Sequence, residues 1–146
     1  MTTLRRILLA DDDPHDVELT LNALDEYNLG NRIDVVHDGQ QALDYLRREG
    51  EFAARASGDP AVILLDLKMP KLDGLDVLRA MSEDEHLRAL PVVVLTSSRE
   101  ERDLAESYRH SANAYVVKPV DFPEFVEAVR RLGIFWALVN EPPPDR

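Results

Sequence analysis

Short apolar runs alternate along the chain with longer stretches in which apolar residues recur every three or four positions. The runs at 7–10, 62–65 and 92–95 contain no polar residue, which is typical of strands buried on both faces of a sheet. Ile33 and Val35 mark a half-buried strand, and 114–117 a further short one. The pattern therefore predicts five strands.

A helical pattern follows each predicted strand. Asp13, Asp38 and Asp121 stand where helix N-caps are expected, and Pro14 occupies a first helical position that favours proline. Asp16 falls in the first turn of that first helix, whereas Asp73 is interpreted as part of a turn with the glycine after it. The core-facing positions of the helices are Val17, Leu21, Leu24, Ala42, Leu43, Leu46, Leu75, Leu78, Met81, Phe125, Val126, Val129 and Leu132.

The alternation of strands and helices predicts an α/β fold. We expect a doubly wound five-stranded parallel sheet, with the flavodoxin-like order 2-1-3-4-5 and five helices. The polar stretch 99–110 supplies the fourth helix, and 50–60 is a loop. Residues 1–140 form one predicted domain, followed by a proline-rich tail at 141–146.

Composition narrows the possible functions. The 146 residues carry a formal net charge of −11 and no cysteine, which argues against nucleic-acid binding and excludes disulfides and cysteine-based zinc sites. The apolar runs are far shorter than the roughly 18 residues that a membrane span needs. We therefore expect a cytoplasmic protein that binds a cation or protein partners, with no membrane and no nucleic acid.

Polar residues follow the predicted strands at one end. Asp11 and Asp12 follow the first strand, Asp66 the third, Thr96 the fourth and Lys118 the fifth. In an open parallel sheet, ligands bind at the carboxyl ends of the strands, where the winding reverses. Crowded carboxylates need a hard cation, and Mg²⁺ accepts one or two carboxylates together with a phosphoryl oxygen. One carboxylate is then a nucleophile for phosphorus, while Thr96 and Lys118 hold the transferred oxygens.

Four stretches in this order carry a family resemblance: ILLADDDP, VILLDLKMPKLDG, PVVVLTSS and AYVVKP. Over roughly residues 5–132 the chain resembles a response-regulator receiver domain of two-component signalling. The long connection 47–60 and the ending FWALVNEPPP also resemble the stand-alone regulators of phytochrome-type histidine kinases.

The resemblance implies a role for each matching residue. Asp66 accepts a phosphoryl group from a sensor histidine kinase, and Lys118 contacts that group. Asp12 is a direct ligand of Mg²⁺, Asp11 acts through a bound water, and the main-chain oxygen of Lys68 completes the protein ligands with Asp66. Thr96 and Tyr115 are the switch residues, and Pro119 follows a cis peptide bond.

The signalling hypothesis has two competitors. One is an aspartate-nucleophile phosphatase of the haloacid-dehalogenase type, which carries Asp-x-Asp-x-Thr/Val after its first strand; the threonine or valine is missing from 11–15 here. The other is a receiver fold that has lost phosphorylation and serves as a scaffold, against which the complete residue set counts. We expect a signalling protein and no enzyme.

The stretch Ile134–Val139 is apolar on every side, unlike a surface helix of a monomer. Phe135, Trp136 and Leu138 predict a homodimer interface there. Because no output domain follows the last predicted helix, we expect signalling through a downstream protein or a phosphotransfer protein.

Overall fold

The computed structural model describes residues 6–25, 33–55, 58–97 and 113–133. One parallel sheet contains β1 (Ile7–Ala10), β2 (Ile33–Val36), β3 (Val62–Asp66), β4 (Val92–Thr96) and β5 (Asn113–Val117). Its strand order is β2-β1-β3-β4-β5, which confirms the predicted order.

Within the described ranges there are four α-helices: α1 (Pro14–Leu24), α2 (Gly39–Arg47), α3 (Gly74–Ser82) and α4 (Phe122–Arg131). Short 3-10 helices cover Gly50–Phe52 and Leu87–Ala89, so the expected loop at 50–60 begins with a helical turn. The predicted helix at 99–110 lies outside the described residues. The predicted single domain 1–140 also extends beyond them and stays a prediction.

The two faces of the sheet are covered by different helices because side chains alternate along each strand. Leu8, Ile63 and Val94 belong to a buried cluster with α2 and α3. Leu9, Leu64 and Leu95 point the other way, into a cluster with residues of α1 and α4. This doubly wound arrangement explains why the central strands are apolar without interruption.

The helix starts confirm three predicted caps and correct one prediction. Asp13, Asp38 and Asp121 each accept hydrogen bonds from backbone N–H groups of the first turn of α1, α2 and α4. Asp73, expected in a turn, is instead the N-cap of α3, in a capping box that Asp76 closes. Among the described residues, no helix combines the length and apolarity needed to cross a membrane.

Candidate functional site

The strand register brings the predicted site residues to one edge of the sheet. Ala10 pairs with Leu65, so Asp11 and Asp66, the next residues, end neighbouring strands at the same level. Thr96 pairs with Val117, which places Lys118 one residue beyond it. The site therefore lies where β1 and β3 meet and the winding of the sheet reverses.

Three carboxylates gather at this edge. Asp11, Asp12 and Asp66 each offer an oxygen, and these oxygens lie within 4.8 Å of one another. Asp11 is fully buried and Asp66 is 5% exposed, whereas Asp12 is open to solvent. An exposed member leaves room for water, which Mg²⁺ retains when it binds to proteins.

Asp11 is held on one side only. Its Oδ1 accepts a hydrogen bond from the backbone N–H of Asp13 at 3.0 Å, while its buried Oδ2 accepts no hydrogen bond from the described part of the chain. Burial raises the pKa of Asp11 to about 6, and the charge of Asp66 adds to this effect. This donor set, with a buried oxygen lacking a hydrogen bond, fits a hard divalent cation.

Lys118 lies among the carboxylates, with its side chain 16% exposed. Its Nζ is 3.1 Å from Oδ2 of Asp66 and 3.5 Å from Oδ2 of Asp11. Burial favours the neutral amine, but Asp16, Asp66 and Asp11 outweigh it and raise the pKa of Lys118 above its usual value. The side chain is therefore a fixed ammonium group at the nucleophile. The Lys118–Pro119 peptide bond is cis, as the resemblance implied.

Asp16 is a site residue that was predicted from the sequence only as a helix-favouring acid in the first turn of α1. It accepts a hydrogen bond from Lys118 Nζ at 2.8 Å, although 102 positions separate the two residues. This contact joins α1 to the residue after β5. The sequence shows the acid in the first turn of α1, but no local pattern signals its pairing with Lys118.

Of the two predicted switch residues, Thr96 ends β4 at the edge that carries the site, and Tyr115 lies within β5. Thr96 is fully buried, and its Oγ1 has no hydrogen-bond partner among the described residues. Tyr115 is partly buried on β5 and packs against the α2–α3 face of the core. The structure thus places a free buried hydroxyl near the nucleophile and an aromatic ring on the neighbouring strand.

The loop after Asp66 is held by two close backbone approaches. A Cβ at Gly74 would lie 2.5 Å from the carbonyl oxygen of Asp66, and one at Gly39 would overlap that of Leu72. Gly74 N–H also donates to the carbonyl of Leu67 at 2.9 Å. Lys68, exposed in this loop, donates its backbone N–H to Oδ1 of Asp66 at 3.3 Å. The helix starts therefore fix the backbone that carries the nucleophile.

Residues 7–130 match the sequence profile of the response regulator receiver domain. The chain belongs to this family. It is 38% identical over 137 residues to the probable methanogenesis regulatory protein FilR2 of Methanothrix harundinacea, covering 94% of this chain and 86% of that protein.

Solved structures of related response regulators resemble this receiver domain throughout. The bacteriophytochrome response regulator RtBRR shares 59% identity and a TM-score of 0.85, over 97% of this chain and 86% of that one. The Mn²⁺-bound form of Rcp1 shares 33% identity and a TM-score of 0.71, over 97% and 99% of the two chains; Rcp1 is a protein of Synechocystis. Phe135, Trp136 and Leu138, the predicted dimer residues, lie outside the described residues.

Proposed function

We propose that this receiver domain accepts a phosphoryl group on Asp66 from a sensor histidine kinase and then signals through protein contacts. The observation that carries the proposal is the convergence on Asp66, a buried carboxylate 3.1 Å from the Lys118 ammonium and beside Asp11 and Asp12. The family supplies the donor class, and similarity to the bacteriophytochrome response regulator RtBRR supports a kinase of the phytochrome type.

The chain's own residues account for the transfer. A carboxylate oxygen of Asp66 attacks phosphorus, the bond from phosphorus to the histidine nitrogen breaks, and that nitrogen keeps the electron pair and takes a proton. Lys118 offers N–H donors to the phosphoryl oxygens, and the N–H of Lys68 steadies the nucleophile. Asp12, Asp66 and the main-chain oxygen of Lys68 would hold Mg²⁺ directly, and Asp11 would do so through a water. When bound, this ion neutralises negative charge on the carboxylates and the phosphoryl group.

Thr96 and Tyr115 would convert phosphorylation of Asp66 into a change of the protein surface. A phosphoryl group on Asp66 offers hydrogen-bond acceptors to the buried Thr96 hydroxyl. This hydroxyl has no hydrogen-bond partner among the described residues. Movement of Thr96 toward these oxygens changes the packing of Tyr115, which lies against the core, and with it the surface around β5. A phosphoryl group shifts this equilibrium only by favouring one state over the other. The net charge of −11 suits a protein target, either a downstream protein or a phosphotransfer protein.

Phosphorylation is tested directly by intact-protein mass spectrometry with acetyl phosphate. The wild-type chain gains one phosphoryl group with Mg²⁺ and none with excess EDTA, and Asp66→Asn gains none. Asp121→Asn is the matched control, because Asp121 is an exposed helix cap and asparagine caps equally well. Undiminished phosphorylation of Asp66→Asn contradicts the assignment. Sustained turnover of a generic phosphate ester supports the phosphatase alternative instead.

A homodimer is the second part of the proposal. Its support is the sequence run Ile134–Val139, because Phe135 and Trp136 can each bury about 150–250 Å². Light scattering during size exclusion is expected to give twice the monomer mass, and Trp136→Glu a monomer that still accepts phosphate. A monomer mass for the wild type at micromolar concentration, with and without phosphorylation, contradicts the dimer.

A further inference from the structure

The shortest ion pair of Lys118 joins it to Asp16. Its Nζ lies 2.8 Å from Asp16, compared with 3.1 Å from Asp66 and 3.5 Å from Asp11. Asp16 does not belong to the cluster of three carboxylates that could bind a cation. An ammonium group has three N–H donors, so the contact with Asp16 uses one that the site would otherwise offer to a phosphoryl group.

The start of α1 explains why Asp16 is available to Lys118. Asp16 is the third residue of the helix, where an acid can reach back to the backbone N–H of the N-cap. In α3 the equivalent residue, Asp76, makes this bond to the N–H of Asp73 at 3.2 Å. In α1 the N–H of Asp13 already donates to Oδ1 of Asp11 at 3.0 Å. Asp16 pairs with Lys118 instead.

We infer that Asp16 is a positioning residue. Its ion pair holds the Lys118 ammonium against α1 and thereby slows phosphoryl transfer to Asp66. The inference rests on the proposed function. Three carboxylates share one ammonium at this edge in the described chain: Asp11, Asp16 and Asp66. Incoming phosphoryl oxygens add negative charge and compete with Asp16 for the same donors. Removing the charge of Asp16 leaves Lys118 free to follow the phosphoryl group.

The test compares initial rates of phosphorylation by acetyl phosphate at saturating Mg²⁺, followed by intact mass. In Asp16→Asn the amide oxygen still accepts a hydrogen bond from Lys118, so the side chain stays in place while the charge is lost. We expect a rate about fivefold above wild type, since hydrogen bonds between ionised groups are roughly twice as strong as neutral ones. Asp76→Asn is the matched control, with the same change at the same helix position, and its rate is expected to equal that of the wild type.

A Lys118→Ala background shows whether Asp16 acts through Lys118. There Asp16→Asn is expected to change the slow residual rate by less than twofold, about the error of such a cycle. An unchanged or lower rate for Asp16→Asn in the wild-type background overturns the inference, as does an equal acceleration without Lys118. If the wild-type chain itself takes up no phosphate, the proposed function fails rather than this inference.

Discussion

Asp34 lies on β2 and Asp11 directly follows the neighbouring strand β1, yet their surroundings are opposite. Asp34 on β2 receives two hydrogen bonds from the Arg6 guanidinium, at 2.8 and 2.9 Å, and a third from the Tyr45 hydroxyl. Asp11 after β1 is more deeply buried, has one oxygen without a hydrogen bond in the described residues, and faces two further carboxylates.

The pKa values of the two carboxyls shift in opposite directions for this reason. Partial burial raises the pKa of Asp34, but Arg6 and Tyr45 outweigh burial and leave it below its usual value. Burial raises the pKa of Asp11 to about 6. Asp34 is fully paired and stabilises the fold, whereas for Asp11 the 3.5 Å contact with Lys118 does not offset burial and the charge of Asp66. Charge crowding at the sheet edge thus costs stability and creates the site.

The largest contrast is expected when the basic side chain that pairs with each carboxylate is removed, Lys118 for Asp11 and Arg6 for Asp34. Lys118→Ala is expected to slow phosphorylation of Asp66 by about a hundredfold or more, the usual effect of losing one donor to a developing negative charge. Arg6→Ala removes the ion pair with Asp34 and leaves the phosphorylation rate unchanged. Initial rates with acetyl phosphate measure both. A similar loss of rate in the two variants contradicts the division into a functional and a structural region.

Replacing each carboxylate by its amide is expected to change stability in opposite directions. Asp34→Asn lowers the free energy of unfolding by about 1–2 kcal/mol, because a charged hydrogen-bonded pair is lost at a site that solvent screens in part. Asp11→Asn raises it by about 1 kcal/mol without metal, since burial and the nearby charge of Asp66 disfavour this carboxylate more than its 3.5 Å contact with Lys118 favours it. Urea unfolding in EDTA at pH 7 gives both values. Destabilisation by Asp11→Asn would mean that the carboxylate is structurally satisfied.

The pH dependence of stability sharpens the same contrast. A carboxyl whose pKa is raised on folding adds to the free energy of unfolding at pH values below its pKa in the unfolded chain. This contribution is lost as the pH rises through its pKa in the folded protein. For Asp11 this stability is lost between about pH 4 and pH 6. The lowered pKa of Asp34 has the opposite sign, so its contribution is present above about 4 and lost in more acidic solution.

Denaturant titrations in EDTA at several pH values are therefore expected to show higher stability at pH 5 than at pH 7. Asp11→Asn removes this rise, while Tyr45→Phe, which takes one hydrogen bond from Asp34, leaves it in place. A rise that persists in Asp11→Asn assigns the effect to another group.

The smallest effect concerns the Thr96 hydroxyl. Thr96→Ala removes a buried polar atom that makes no hydrogen bond among the described residues, so its phosphorylation rate is expected to stay within about threefold of wild type. The response of β5 to phosphorylation, followed by NMR shifts of the Tyr115 amide, is expected to shrink. Equal shifts in both proteins contradict the proposed relay.

Much of this architecture follows from the sequence because uninterrupted apolar runs determine buried parallel strands. The ends of those runs placed Asp11, Asp66 and Thr96 correctly, since parallel strands end at one edge. Contacts between distant elements were not predictable in this way. The pairs Lys118–Asp16 and Arg6–Asp34 depend on how a helix or loop crosses the sheet, and no local pattern encodes them.

The capping box of α3 was missed for a related reason. Its third residue is Asp76, whereas the usual sequence signature has glutamate or glutamine there. The same shorter acid at the same position of α1 makes a different contact. Which partner it takes depends on whether the N–H of the cap is already used, and for Asp13 that is decided by Asp11.

Chemical trapping of the phosphoryl group tests the central claim most directly. After phosphorylation with Mg²⁺, borohydride reduces an acyl phosphate to the alcohol and releases phosphate, so a phosphorylated aspartate becomes homoserine. Peptide mass spectrometry of the wild-type chain is expected to find homoserine at position 66 and aspartate at 11, 12 and 16. Homoserine at Asp11 or Asp12, or none at position 66 in a chain that carries phosphate, would contradict the account.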